Sequence, residues 1–159
     1  MTTGKPNNGS EPQDRLKRLL TYRFSRINAR LNAQAVRVLH DETDLSLTEW
    51  RVLVMLDAFG STNAAEMARR SALDKGQLSR CVKGLLERGL LASSSSPRDS
   101  RTQILEMTPE GRRVFDTARP SMRARQDVLT AALAPEALEQ LHDALDRLEA
   151  VIEGLETPE

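Results

Sequence analysis

Residues 75–83 read Lys-Gly-Gln-Leu-Ser-Arg-Cys-Val-Lys, with Leu85 and Leu86 just beyond. At about 100° per residue, Leu78, Val82, Leu85 and Leu86 fall on one helical face. Lys75, Gln77, Ser79, Arg80 and Lys83 are left on the other. That polar set suits DNA. A glutamine can bond adenine in two places, and an arginine can do the same with guanine. Lysine and serine bond phosphate oxygens. A helix N-terminus adds free N–H groups and a positive dipole end. The rival reading of the same residues is a solvated helix face. A second polar stretch follows, Ser-Ser-Ser-Ser-Pro-Arg-Asp-Ser-Arg-Thr-Gln over 93–103. Its composition is that of a flexible linker. Its neighbours argue otherwise, because a helical run ends at Gly89-Leu90-Leu91 and an alternating stretch runs from Thr102 to Met107. As the tip of a hairpin it can bring Arg98 and Arg101 into a minor groove, where negative potential is concentrated. Asp99 would repel DNA if it faced outward. It is expected to fix the tip, or an arginine, by a charge-assisted bond.

The elements that must position these residues carry local signals. Ser46-Leu-Thr-Glu49, Asn63-Ala-Ala-Glu66 and Asp74-Lys-Gly-Gln77 each have the pattern of a helix-starting capping box. Apolar periodicity follows each, and Gly60 and Gly89 are plausible stops. Two short strands are expected, Leu90–Ser93 and Thr102–Met107, with Ser94–Ser100 as the turn. Three short helices and a hairpin make a helix-turn-helix with a wing.

Longer helices flank this middle. Leu16, Leu20, Phe24, Ile27, Leu31 and Val38 form one stripe, and neither Gly nor Pro interrupts Asp14 to Thr43. That predicts a single long helix. Thr108-Pro109-Glu110 starts another, with a kink near Asp116 expected from Pro120. From Pro135, Leu138, Leu141, Leu145, Leu148, Ile152 and Leu155 recur at 3, 4, 3, 4, 3, a heptad seam. These stripes exceed what a small middle domain can cover, so a second copy of the chain is the expected partner. The organisation is then a disordered tail at 1–12, a dimerisation helix at 13–44, a winged helix-turn-helix at 45–108 and dimerisation helices at 109–156. The fold class is mainly α with a small β-hairpin.

Bulk properties agree. The 159 residues carry no net charge, which disfavours indiscriminate nucleic-acid binding. The charge is uneven, however. Between Arg69 and Arg101, eight basic residues against three acidic ones give +5; between Ala134 and Glu159, eight acidic ones against Arg147 give −7. No apolar run is long enough to cross a membrane, and the start reads as neither a secretory nor a transit signal. A lone cysteine, Cys81, excludes an internal disulfide and a thiolate zinc cluster. A cytoplasmic protein with no metal and no cofactor is expected. No Ser-His-Asp order, glycine-rich phosphate loop or metal spacing points to an enzyme.

Asp99-Ser-Arg101, followed by Leu105-Glu-Met107-Thr108-Pro-Glu-Gly111, resembles the wing signature of the MarR family of bacterial transcription regulators. Leu47-Thr48, Trp50-Arg-Val-Leu53, Glu66-Met-Ala68, Leu73-Asp-Lys75, Leu78-Ser-Arg80 and Leu85-Leu-Glu-Arg-Gly-Leu90 agree with it in order. The resemblance covers about residues 14–155. It implies a homodimeric winged helix-turn-helix repressor of double-stranded DNA that reads a pseudo-palindrome. It also implies release by a small aromatic or phenolic effector, and it makes Arg101 the arginine of the wing. The wing departs from the family pattern Asp-Pro-x-Asp-Arg-Arg. Ser96 stands for the first Asp and Ser100 for an Arg, serines follow the first wing strand in place of a basic residue, and Arg98 is a candidate to compensate. The alternative is a helical interaction module of the same fold that does not bind DNA.

Three further candidates have two readings each. Tyr22, Arg26, Arg30, Trp50 and Arg51 could line an effector pocket, an aromatic wall with arginines for an aromatic carboxylate. Otherwise Trp50 is core and the arginines are surface or dimer ion pairs. Cys81 could be a redox switch, but it lies beside the buried stripe, where an inert thiol is favoured. His40 and His142 are expected at the surface rather than as metal ligands.

Overall fold

A computed structural model describes residues 11–71, 73–95 and 102–156. Its helices are α1 (Glu11–Arg18), α2 (Leu20–Glu42), α3 (Leu47–Phe59), α4 (Ala64–Arg70), α5 (Lys75–Glu87), α6 (Pro109–Ala131) and α7 (Pro135–Glu156). Strands β1 (Leu91–Ser95) and β2 (Gln103–Met107) stand between α5 and α6. The chain divides into two units, 1–118 and 119–159, so the division falls inside α6.

The first unit holds the core. Leu39, Val52, Leu53, Met67, Leu78 and Leu85 are fully buried. They come from α2, α3, α4 and α5, so the short helices close around residues that periodicity places inward. Val82 is also buried, and Leu86 is only half-buried. The ring of Trp50 stacks on that of Phe115, with centroids 4.8 Å apart. Asp57 on α3 pairs with Arg112 on α6.

Each start signal caps a helix, though in different ways. Ser46 and Glu49 make the full reciprocal box. Asn63 accepts from the Glu66 N–H at 2.9 Å, but the Glu66 carboxylate turns to Arg69 and Arg70 instead of reaching back. Asp74 accepts from the Gln77 N–H at 2.9 Å, while the Gln77 amide donates to Thr48 Oγ1 at 3.4 Å. α5 stops at Arg88. Gly89 takes a φ of 68°, which glycine adopts at little cost. The Leu90 N–H then bonds the Leu85 carbonyl and the Gly89 N–H that of Leu86, at 2.9 and 3.0 Å. This Schellman turn sends the chain into β1.

The hairpin is antiparallel, from Leu91 opposite Met107 to Ser95 opposite Gln103. Two boundaries differ from expectation. Ser94 and Ser95 extend β1 instead of belonging to the turn, because they pair with Ile104 and Gln103. Thr62 also bridges Leu105, with mutual N–H to O bonds of 3.2 and 2.7 Å, so the segment before α4 adds a short third edge. The wing tip with Arg98, Asp99 and Arg101 lies outside the described residues, as does most of the expected tail.

The first long helix is two helices. Leu19 leaves helical geometry at φ −69°, ψ 120°, and α2 starts after it. No glycine or proline marks this break. Arg15, Lys17 and Arg18 occupy the last turn of α1, where the carbonyl end of a helix favours cations. α6 runs continuously through Pro120. In the second unit α7 exposes Leu141, Val151, Ile152 and Leu155.

Candidate nucleic-acid interface

α5 presents its polar face as periodicity requires. Lys75, Gln77, Ser79, Arg80 and Lys83 are all exposed, opposite buried Leu78, Val82 and Leu85. The Asp74 cap takes the Gln77 N–H. Lys75 and Arg80 make no ion pair among the described residues. Lys83 lies 3.8 Å from Glu87, a loose exposed pair that leaves its charge largely available. The first turn of α3 faces α5. Ser46, Thr48 and Glu49 line a groove of about 540 Å³ with Gln77, Arg80, Cys81 and Gly84.

Not every cation near this face is available to phosphate. Arg69 and Arg70 both pair with Glu66. Arg88 pairs with Glu49 and Asp44 at 2.7 Å each. Among the described residues of this basic stretch, Arg69, Arg70 and Arg88 are thus closely held by carboxylates. Arg88 and its partners went unnoticed in the sequence, because 39 and 44 residues separate them.

The wing is fastened at its base. Thr108 Oγ1 donates to the Gly89 carbonyl at 2.7 Å and accepts from the Gly111 N–H at 3.0 Å. A Cβ on Gly111 would collide with the carbonyl oxygen of Leu90. Threonine and glycine in Met107-Thr-Pro-Glu-Gly111 therefore have separate tasks. One caps α6 and ties it to the turn after α5; the other lets α6 sit against that turn.

With this geometry in place, comparison with known proteins is informative. The MarR family model matches residues 45–102, which run from the start of α3 to the foot of β2. A MarR-family domain thus occupies residues 45–102. It is 21% identical over 119 residues to the HTH-type transcriptional regulator FarR of Neisseria gonorrhoeae, covering 75% of this chain and 82% of that protein. A MarR-family regulator from Silicibacter pomeroyi superposes with a TM-score of 0.74 at 26% identity, covering 86% and 92% of the two chains. CouR from Rhodococcus jostii RHA1, solved bound to p-coumaroyl-CoA, gives 0.74 at 25%, covering 84% and 93%. The relatives this chain matches are transcriptional regulators, not enzymes. Among the described residues no helix is long and apolar enough to cross a membrane.

Of the five residues considered for an effector pocket, three share a groove. Tyr22, Arg26 and Arg30 line one groove of about 350 Å³ with Lys17, Arg23 and Ile27. Trp50 is in the core against Phe115, and Arg51 donates to Asn32 on α2 at 2.8 Å. Cys81 is half-buried. Burial, and then the nearby Glu49 carboxylate, push its thiol up to about 11. His40 is exposed, 3.6 Å from Asp41, and His142 is exposed.

Proposed function

We propose that this MarR-family regulator is a homodimeric repressor that binds a pseudo-palindromic site in double-stranded DNA. The observation that carries the reading is the two-faced α5, with its exposed polar set over a buried apolar stripe. Lys75, Gln77, Ser79, Arg80 and Lys83 enter the major groove. Arg98 and Arg101 of the wing enter the minor groove, with Asp99 holding the tip. Residues 45–108 form the DNA-binding part, and residues 13–44 and 109–156 bring two copies together. Two such helices would stand about 34 Å apart, one turn of DNA. Binding and regulation would take place in the cytoplasm.

The α1–α2 groove is the proposed effector site. Tyr22 offers a ring face, and Arg26 and Arg30 offer charge for a carboxylate. CouR, of similar fold, was solved with an aromatic acyl thioester, which supports an aromatic, anionic ligand.

A gel shift with the duplex upstream of the coding sequence, against a scrambled duplex, tests the DNA reading. For about 6–10 phosphate contacts, affinity should fall by roughly 10³–10⁵ between 50 and 200 mM salt. Equal affinity for both duplexes, or a flat salt response, would overturn it.

A further inference from the structure

Glu49 serves two partners with one carboxylate. Its Oε2 accepts from the Ser46 N–H at 2.7 Å and closes the capping box of α3. Its Oε1 accepts from Arg88 Nη1 at 2.7 Å. The other arm of the guanidinium, Nη2, donates to Asp44 Oδ1 at 2.7 Å. Arg88 is the C-cap of α5, and Asp44 stands just ahead of α3. Toward the other end of α5, Gln77 reaches Thr48 on the same first turn of α3. The cap of α3 is thus gripped from both ends of the helix that carries Arg80. The Glu49 side chain is only 15% exposed, so water screens this pair less than an ordinary surface one.

We propose that Arg88 is a positioning residue for DNA recognition. It clamps the C-terminal end of α5 to the α3 cap, fixes how Gln77 and Arg80 are presented, and does not itself bind phosphate. The inference rests on the DNA-binding reading given above. The fork matters more than the charge. A guanidinium reaches two carboxylates with separate N–H groups in a fixed plane, whereas a lysine ammonium is a single point charge. With the clamp gone, α5 keeps its apolar seat on Leu78, Val82 and Leu85 but loses a fixed angle to α3.

The test is the full-length protein with Arg88→Lys, Arg88→Ala and Glu49→Gln, measured on the upstream and scrambled duplexes over a salt series. Glu49→Gln keeps an acceptor for the Ser46 N–H and gives up the charge that holds Arg88. A lost fork should cut the preference for the upstream duplex about tenfold in all three variants, including Arg88→Lys, which keeps the positive charge. Affinity for the scrambled duplex and the salt slope should stay as in the wild type. A phosphate contact behaves differently: Arg88→Lys would match the wild type, and Arg88→Ala would weaken both duplexes equally and lower the salt slope by about one per protomer. Either result overturns the proposal. Should the Arg88 variants fail to fold by circular dichroism, Glu49→Gln decides by the same readout. Should the wild type fail to distinguish the duplexes, the DNA reading itself falls. Amide exchange at Ser46 and Glu49 then decides the clamp: faster exchange in Arg88→Lys supports it, and unchanged exchange refutes it.

Discussion

Cys81 keeps its proton where an ordinary thiol would lose it. With the thiol pushed up to about 11, first by burial and then by Glu49, almost no thiolate is present at neutral pH, and the thiolate is the reactive form. Alkylation by iodoacetamide in the folded protein should be slow at pH 8 and accelerate toward pH 11, while the unfolded chain reacts readily near pH 9. Equal rates in the two states at pH 8 would restore the redox-switch reading. The same shift has a stability consequence. The folded thiol holds its proton more tightly than the unfolded one, so its contribution is intact below pH 9 and is lost as pH rises toward 11. Arg80 is exposed and outside any ion pair among the described residues. Arg80→Ala should leave the thermal midpoint unchanged and relax base preference in the major groove. Arg101→Ala should weaken operator binding by about 1–3 kcal/mol per wing, read by titrating one operator and one scrambled duplex. A loss of stability in Arg80→Ala, or wild-type affinity in Arg101→Ala, would contradict those roles. The polar face of α5 was legible because it is a local period. The fate of Arg69, Arg70 and Arg88 was not, since a tally of cations does not show which carboxylates fold back onto them.

Among the elements, the junction between the wing and α6 is the least forgiving. Thr108 spans it with bonds to the Gly89 carbonyl and the Gly111 N–H, and Gly111 leaves no space for a side chain against the Leu90 carbonyl. Backbone cannot yield as a flexible side chain can. Gly111→Ala should therefore destabilise the first unit by about 1–3 kcal/mol or more, although alanine is the better helix former. Calorimetry of that variant checks it, and a raised midpoint would mean that α6 slides free of the turn. Capping explains why helix starts were so readable: a cap and its N–H lie three residues apart, so the signal is contained in the sequence. The Thr62–Leu105 bridge joins positions 43 residues apart and left no local pattern. The break at Leu19 also escaped, because leucine is a good helix former and the residues around it are all exposed, so neither propensity nor burial marks the stop. Ser94 and Ser95 read as turn residues by composition, and pairing with β2 overrides that weak preference.

At the scale of the whole molecule, the proposed dimer is where apolar surface and function meet. Each chain leaves Leu20, Phe24 and Ile27 of α2 exposed, together with Val151, Ile152 and Leu155 of α7. On each helix, apolar residues at this density are what the proposed dimer would cover. Two-fold symmetry would bring the same surfaces of both copies together and space the two α5 helices for a two-fold DNA site. The seam residue to change is Ile152, not Leu145. Ile152 is 53% exposed in the single chain, so Ile152→Asp costs little within one chain, while Leu145 is half-buried there and its substitution would mix folding with assembly. In a dimer the same aspartate would be buried without a partner, at a cost of several kcal/mol. Light scattering at micromolar concentration should find the wild type dimeric and Ile152→Asp shifted toward monomer, with its helical circular dichroism largely kept. Operator affinity should fall with the dimer, because a monomer engages only one half-site and loses the effective concentration of the second. A wild type that is monomeric at that concentration would remove the seam from the interface. A monomeric variant that still binds the full operator as tightly as the wild type would separate DNA reading from dimerisation.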